Sequence, residues 1–104
     1  MKENEFQHRL ISKIKEMFPG CIVMKNDASY IQGIPDITIL YKNKWACLEC
    51  KRSPKASIRP NQKYYAEKMD DMSFARFIDP SNSDEVLDEL RQFMGEKVNL
   101  NERL

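Results

Sequence analysis

Ile34-Pro35-Asp36-Ile37-Thr38-Ile39-Leu40-Tyr41, then Lys42-Asn43-Lys44, then Trp45-Ala46-Cys47-Leu48-Glu49-Cys50-Lys51, reads as two strands joined by a short turn. The first run is rich in β-branched and aromatic residues, which strands favour, and the last resumes an extended pattern. The middle run is polar and holds an Asn, a good turn residue. Side chains alternate along a strand, so Ile37, Ile39 and Tyr41 share one face, and Ala46, Leu48 and Cys50 share one face of the return strand. For both apolar sets to meet on the core side, the loop must hold an even number of residues, such as Asn43-Lys44 or Lys42 to Trp45. With either loop, Asp36 falls opposite Lys51 and Thr38 opposite Glu49. Asp36, Glu49 and Lys51 then emerge together on the less apolar face. An odd loop would set Asp36 against the other two. Two carboxylates beside an ammonium are costly to gather, because like charges repel and a desolvated carboxylate needs a partner. A divalent cation is the usual partner, and a metal-bound water the usual reason for one.

Outward from this hairpin the elements follow in order. Phe6, Leu10, Ile14 and Met17 recur at helical spacing, joined by Ile11 and Phe18, so Glu3 to Phe18 reads as an amphipathic helix stopped by Pro19-Gly20. Cys21 to Lys25 is a short apolar strand, and Asn26 to Gly33 a polar loop carrying Tyr30. Ser53 to Pro60 is a loop with a proline near each end and bases between. A second helix runs from Pro60 or Asn61 to about Met72, with Tyr65, Met69 and Met72 toward the core. Phe74 to Ile78 is a fourth strand. Asp79 to Ser83 is a turn with a Ser available as N-cap. Val86, Leu87, Leu90, Phe93 and Met94 form the inner face of a last helix, which Gly95 ends. The order is α-β-β-β-α-β-α, an α/β fold with a mixed four-stranded sheet flanked by helices. Residues 1–95 read as one domain and 96–104 as a polar C-terminal tail.

At 104 residues and 41% hydrophobic content the chain can build one modest core, and 32% charge gives it a soluble surface. No apolar run reaches membrane-spanning length and no signal segment opens the chain, so a cytoplasmic protein without a membrane partner is expected. Three cysteines in apolar patterns suit a reducing setting. Cys47 and Cys50 form a poor zinc half-site, because residues three apart on a strand face opposite ways and no second pair exists. His8 stands alone. The net charge of +1 does not announce a polyanion partner, but its distribution is uneven. From Lys42 to Lys63 there are seven bases against the single acid Glu49, whereas Asp79 to Glu89 is acidic. A basic surface around an acidic pair suits a polyanion held near a metal; plain solvated lysines are the competing reading.

Gly33-Ile34-Pro35-Asp36, Glu49-Cys50-Lys51 and Gln62 at the start of the next helix resemble the PD-(D/E)XK nuclease superfamily. Within it they most resemble the small stand-alone VRR-NUC domains of phages and bacteria. The resemblance spans roughly Glu5 to Ile78, and it implies a restriction-endonuclease-like core. It also implies that Asp36, Glu49 and the backbone carbonyl of Cys50 bind Mg²⁺ or Mn²⁺, with Glu5 as an additional acid and Glu3 its competitor. Lys51 would orient or deprotonate the attacking water, and Gln62 would contact the site beside it. The family usually has an aliphatic residue where Cys50 stands. The implied activity is hydrolysis of DNA phosphodiester bonds, structure-selective in the manner of a Holliday-junction resolvase, on branched or duplex DNA and by a homodimer. In a phage-encoded protein, the compartment would be the host cytoplasm. Lys44, Arg52, Lys55, Arg59, Lys63 and Tyr30 are the candidate DNA contacts. Two other classes stay open: a catalytically inactive DNA-binding protein on the same fold, and an interaction protein such as an inhibitor of host defence.

Overall fold

In the computed structural model, which describes residues 1–96, the chain runs α1 (Glu3–Met17), β1 (Ile22–Lys25), β2 (Ile37–Tyr41), β3 (Lys44–Cys50), α2 (Pro60–Met72), β4 (Ala75–Ile78) and α3 (Ser83–Met94). This is the expected α-β-β-β-α-β-α order. The strands lie β1-β2-β3-β4 in one sheet, antiparallel up to β3, with β4 parallel to β3. A parallel neighbour needs a crossover, and α2 supplies it.

The hairpin keeps the expected parity with a different register. Its loop is Lys42-Asn43, which pairs Ile37 with Leu48 and Thr38 with Cys47. Thr38 is therefore not opposite Glu49, and Asp36 rises beside Glu49 rather than Lys51. The slip is two residues, an even step, so no side chain changes face. The cause lies in the turn. Lys42 takes a left-handed φ of 54°, as a two-residue hairpin turn requires, and this lets Lys44 join the ladder opposite Tyr41.

Ile37, Ile39, Ala46, Leu48 and Cys50 form the sheet side of the core, against Phe6, Leu10 and Ile14 of α1 and Val86, Leu87 and Leu90 of α3. Enclosed side chains such as Ile14 and Leu90 are each worth roughly 2 kcal/mol of burial. The second helix, α2, lies on the opposite face, where its Gln62 meets Glu49. Its rotation departs from the expected one. Ala66 is its buried residue, Tyr65 and Met69 are half-buried, and Met72 is 65% exposed. Polar ties set this rotation. Gln62 is bound to β3, and Asp70 accepts the Ala75 N–H at 3.1 Å and pairs with Arg76 on β4. Ala66 lies midway between them on the helix and is small enough to let the backbone approach the sheet.

At the start of α3 the N-cap is Asn82 rather than a serine; its Oδ1 accepts the Asp79 N–H at 2.8 Å. Gly95 ends the helix in the left-handed region, φ 83°. Glu96, expected in the polar tail, instead accepts from Tyr41 Oη at 2.8 Å and Lys42 Nζ at 3.1 Å. The rest of that tail, 97–104, lies outside the described residues. Among the described residues no helix is long and apolar enough to cross a membrane.

Candidate active site

Asp36, Glu49, Lys51 and Gln62 converge where β2 begins and β3 ends. Asp36 precedes the first residue of β2, and the chain there is held by Asn26. Asn26 Nδ2 donates to the Pro35 carbonyl and to Thr38 Oγ1, each at 2.8 Å, and its N–H donates to the Asp36 carbonyl at 2.8 Å. Sequence reasoning passed over Asn26; its only signal was a polar residue just beyond β1.

The two acids interlock through the backbone. Asp36 N–H donates to Glu49 Oε1 at 3.1 Å, and Cys50 N–H donates to Asp36 Oδ2 at 2.7 Å. The Cys50 peptide thus lies against the pair, while its thiol is enclosed in the core, as strand alternation requires. Burial first, then the charges of Asp36 and Glu49, push the thiol up to about 12, so it stays protonated. Gln62 Nε2 donates to Glu49 Oε2 at 2.9 Å, and Gln62 Oε1 accepts from Lys51 Nζ at 2.9 Å and from Arg59 N–H at 3.0 Å. Lys51 Nζ also donates to the Ser57 carbonyl at 3.1 Å and lies 3.6 Å from Glu49 Oε2. Gln62 therefore fixes the acid and the amine with one amide. Glu49 and Lys51 are buried, and Asp36 is half-buried.

Burial alone would favour the neutral form of Glu49, and the adjacent Asp36 charge adds to that. The Lys51 ammonium opposes both. The net result raises the Glu49 carboxyl from its usual range to about 7, with the two carboxyl groups within hydrogen-bonding reach of each other.

The remaining expected residues divide. Glu5 is exposed, pairs with Arg9 at 3.6 Å, and lines a neighbouring cavity with Glu3 and Arg52. Glu3 shares the inward stripe of α1 with Phe6 and Leu10, and lines a cavity of about 280 Å³ with Lys51, Arg52, Arg59 and Gln62. Glu3 is thus the helix acid that shares a cavity with Lys51 and Gln62. Helical phase signalled this in the sequence, since Glu3, Phe6 and Leu10 recur at helical spacing. Lys44 does not reach the site. It sits at the other end of β3, donating to the Phe93 carbonyl at 2.7 Å and lying over the Phe93 ring. Lys63 is exposed beside Glu67 at 4.0 Å. Lys55 and Tyr30 are exposed on loops.

No protein-family model, curated protein or solved structure matches this chain. The chemistry of the site is read from its own groups. Among the described residues no cluster of three or more His, Cys, Asp or Glu side chains forms. A cation here would have two carboxylates, a peptide carbonyl and solvent. That donor set is all hard oxygen and suits Mg²⁺ or Mn²⁺, which take one or two carboxylates and keep several waters. It does not suit zinc, which takes nitrogen and sulfur in closed sites. The pair also has a reason to bind a cation: burial and the Asp36 charge, only partly offset by the Lys51 ammonium, raise the Glu49 carboxyl to about 7.

Proposed function

We propose that this protein is a Mg²⁺- or Mn²⁺-dependent deoxyribonuclease that hydrolyses phosphodiester bonds, a structure-selective endonuclease of the kind its resemblance to the PD-(D/E)XK and VRR-NUC proteins implies. One observation carries the proposal: a carboxylate pair, Glu49 buried and Asp36 half-buried, with an amine 3.6 Å from Glu49, and that acid and amine tied to one glutamine amide. A simple cross-strand salt bridge would leave one acid and one base; this arrangement leaves a surplus acid.

Asp36, Glu49 and the Cys50 carbonyl would hold the metal, with Glu3 at the cavity edge. The metal, when bound, supplies a water of lowered pKa and charge neutralisation on the phosphate. Lys51 would orient the attacking water or donate to the phosphoryl oxygen as its charge grows. Gln62 and the Ser57 carbonyl would orient that amine, and Gln62 would turn Glu49 toward the metal. Arg52, Lys55 and Arg59 would hold flanking phosphates. A homodimer would pair two such sites for the two strands of a junction.

A second reading has support in the same geometry. Both Glu49 oxygens already accept protein hydrogen bonds, as they would in a structural polar network of a non-catalytic DNA-binding protein. Nicking of supercoiled and branched DNA in Mg²⁺ separates the two. The nuclease reading expects nicking by wild type, and a loss of about 100-fold or more in Lys51→Ala, as for removal of a general acid–base group. Equal nicking by both proteins would remove Lys51 from the mechanism. No nicking by wild type on any substrate would overturn the nuclease reading and favour the binding protein.

A further inference from the structure

The two carboxylates of the candidate site are held by different means. Glu49 is a ladder residue of β3, opposite Phe77 of β4, with Leu48 and Cys50 paired on either side of it. Asp36 is not a ladder residue. The register of β2 ends at Ile37 against both neighbours, opposite Lys25 on β1 and Leu48 on β3, so Asp36 lies past the last rung on both sides. Pro35 before it has no N–H to donate. One half of the pair is therefore fixed by the sheet, and the other half needs a separate anchor.

Asn26, the first residue after β1, is that anchor. Its N–H donates to the Asp36 carbonyl at 2.8 Å. Its Nδ2 donates to the Pro35 carbonyl and to Thr38 Oγ1, each at 2.8 Å, and its Oδ1 accepts from Thr38 Oγ1 at 3.2 Å. The side-chain amide thus grips the residue before Asp36 and the residue two beyond it, while the backbone grips Asp36 itself. Thr38 Oγ1 also lies 3.2 Å from Cys47 Sγ, which carries the network across to β3. Pro35 is fully buried, and a buried carbonyl without a strand partner is costly to leave unpaired. The Asn26 amide takes the place of the rung that β1 is too short to provide.

Both bonds that join the acids depend on where the Asp36 backbone stands. Asp36 N–H donates to Glu49 Oε1 at 3.1 Å, and Asp36 Oδ2 accepts from Cys50 N–H at 2.7 Å. Groups that orient a donor from behind set cation affinity nearly as strongly as the donors do. We infer that Asn26 is the positioning residue of this site: its amide fixes the backbone on both sides of Asp36, and so sets the spacing of the carboxylate pair and its affinity for a divalent cation. The cation clause rests on the proposed nuclease reading; the spacing of the pair does not.

Amide hydrogen exchange of the full chain in EDTA, followed by NMR, separates positioning from a general role in the fold. In Asn26→Ala the Asp36 and Cys50 amides, whose acceptors are the two carboxylates, lose about 10-fold in protection, the worth of one hydrogen bond. The Cys47 and Lys51 amides, bonded to the Phe74 and Ile78 carbonyls at 2.9 and 2.8 Å, keep theirs. Wild-type protection of Asp36 and Cys50 overturns the inference. An equal loss at all four amides overturns it too, and makes Asn26 a residue of the fold alone. Thr38→Val keeps the branched strand shape and frees one side of the amide; it shows the same pattern at smaller size, and it decides the matter should Asn26→Ala fail to fold. Titration with Mn²⁺, read by electron paramagnetic resonance of the free ion, tests the cation clause. Asn26→Ala weakens Mn²⁺ binding about 10-fold or more. Val86→Ala, which loosens the core against α3 without touching this network, binds as wild type does. Equal weakening in both variants overturns the clause. Wild type that binds no Mn²⁺ rejects the metal reading, and the exchange pattern alone then decides whether Asn26 positions the pair.

Discussion

Among the described residues, Glu49 has the most demanding position of any side chain. It is buried, next to a second carboxylate, and neutralised in part by one amine. Its carboxyl is raised from 4.5 to about 7, so the folded protein holds this proton more tightly than the unfolded chain does. The sign follows from proton counting. Below the unfolded pKa both states are protonated and Glu49 contributes its full stability; as pH rises through the folded pKa that contribution is lost. Metal-free protein should therefore lose stability from this group between about pH 5 and about pH 8. Glu49→Gln keeps the shape and removes the titration. It should flatten the profile and raise stability at the alkaline end by on the order of 1–3 kcal/mol. Thermal melts in EDTA across this range check it, and parallel profiles for the two proteins would sink the argument. Lys51→Ala acts in the opposite direction. It strips Glu49 of its counter-charge and leaves Gln62 Oε1 short of a donor, at about 1–3 kcal/mol, so its melting point should drop.

The elements explain which of these residues could be found in advance. Parity was legible, because a period of two admits only even loops if Ile37, Ile39, Ala46 and Leu48 are to share a core face. Register was not. Two-residue loops at Lys42-Asn43 and at Asn43-Lys44 have the same parity but registers two residues apart, and the choice fell to the left-handed φ of Lys42, for which a polar run gives no unique signal. The error cost the site nothing, because a slip of two leaves every side chain on its face. Lys44 was misplaced for the same reason, having been read as a turn residue when it is a ladder residue. The rotation of α2 was hidden because Gln62 and Asp70, not its apolar residues, set it. Gly33 shows how closely the elements are fitted. Its φ of 93° and its approach to Asn61 leave no room for a Cβ. Gly33→Ala should destabilise the protein by about 1–3 kcal/mol. It should also reduce nicking, since the displaced turn carries Gln62 on one side and Asp36 on the other. A melting temperature and nicking rate equal to wild type would show that this contact does not position the site.

At the scale of the whole molecule, charge is balanced overall and uneven in place. With a net charge of +1 the molecule as a whole does not attract DNA, so affinity must come from local clusters of cations. Several bases are already engaged. Lys44 is bound to the Phe93 carbonyl, Lys42 to Glu96, Lys63 lies by Glu67, and Arg76 is held by Asp70 and Glu89. Arg52 and Arg59 remain on the rim of the cavity and Lys55 on the loop between them, with no carboxylate in ion-pair contact among the described residues. Each phosphate neutralised on a single strand contributes about −0.7 to the slope of log affinity against log salt, so three contacts give a slope of about −2. Binding titrations in EDTA over a range of salt concentrations measure it directly. Arg52→Ala should reduce the slope by about one contact's share, about 0.7, and weaken binding to every sequence alike. A slope of about −5 or steeper would mean that the engaged lysines also reach the backbone. A slope near zero would mean that the basic loop is solvated surface and that the carboxylate pair serves something other than a nucleic acid.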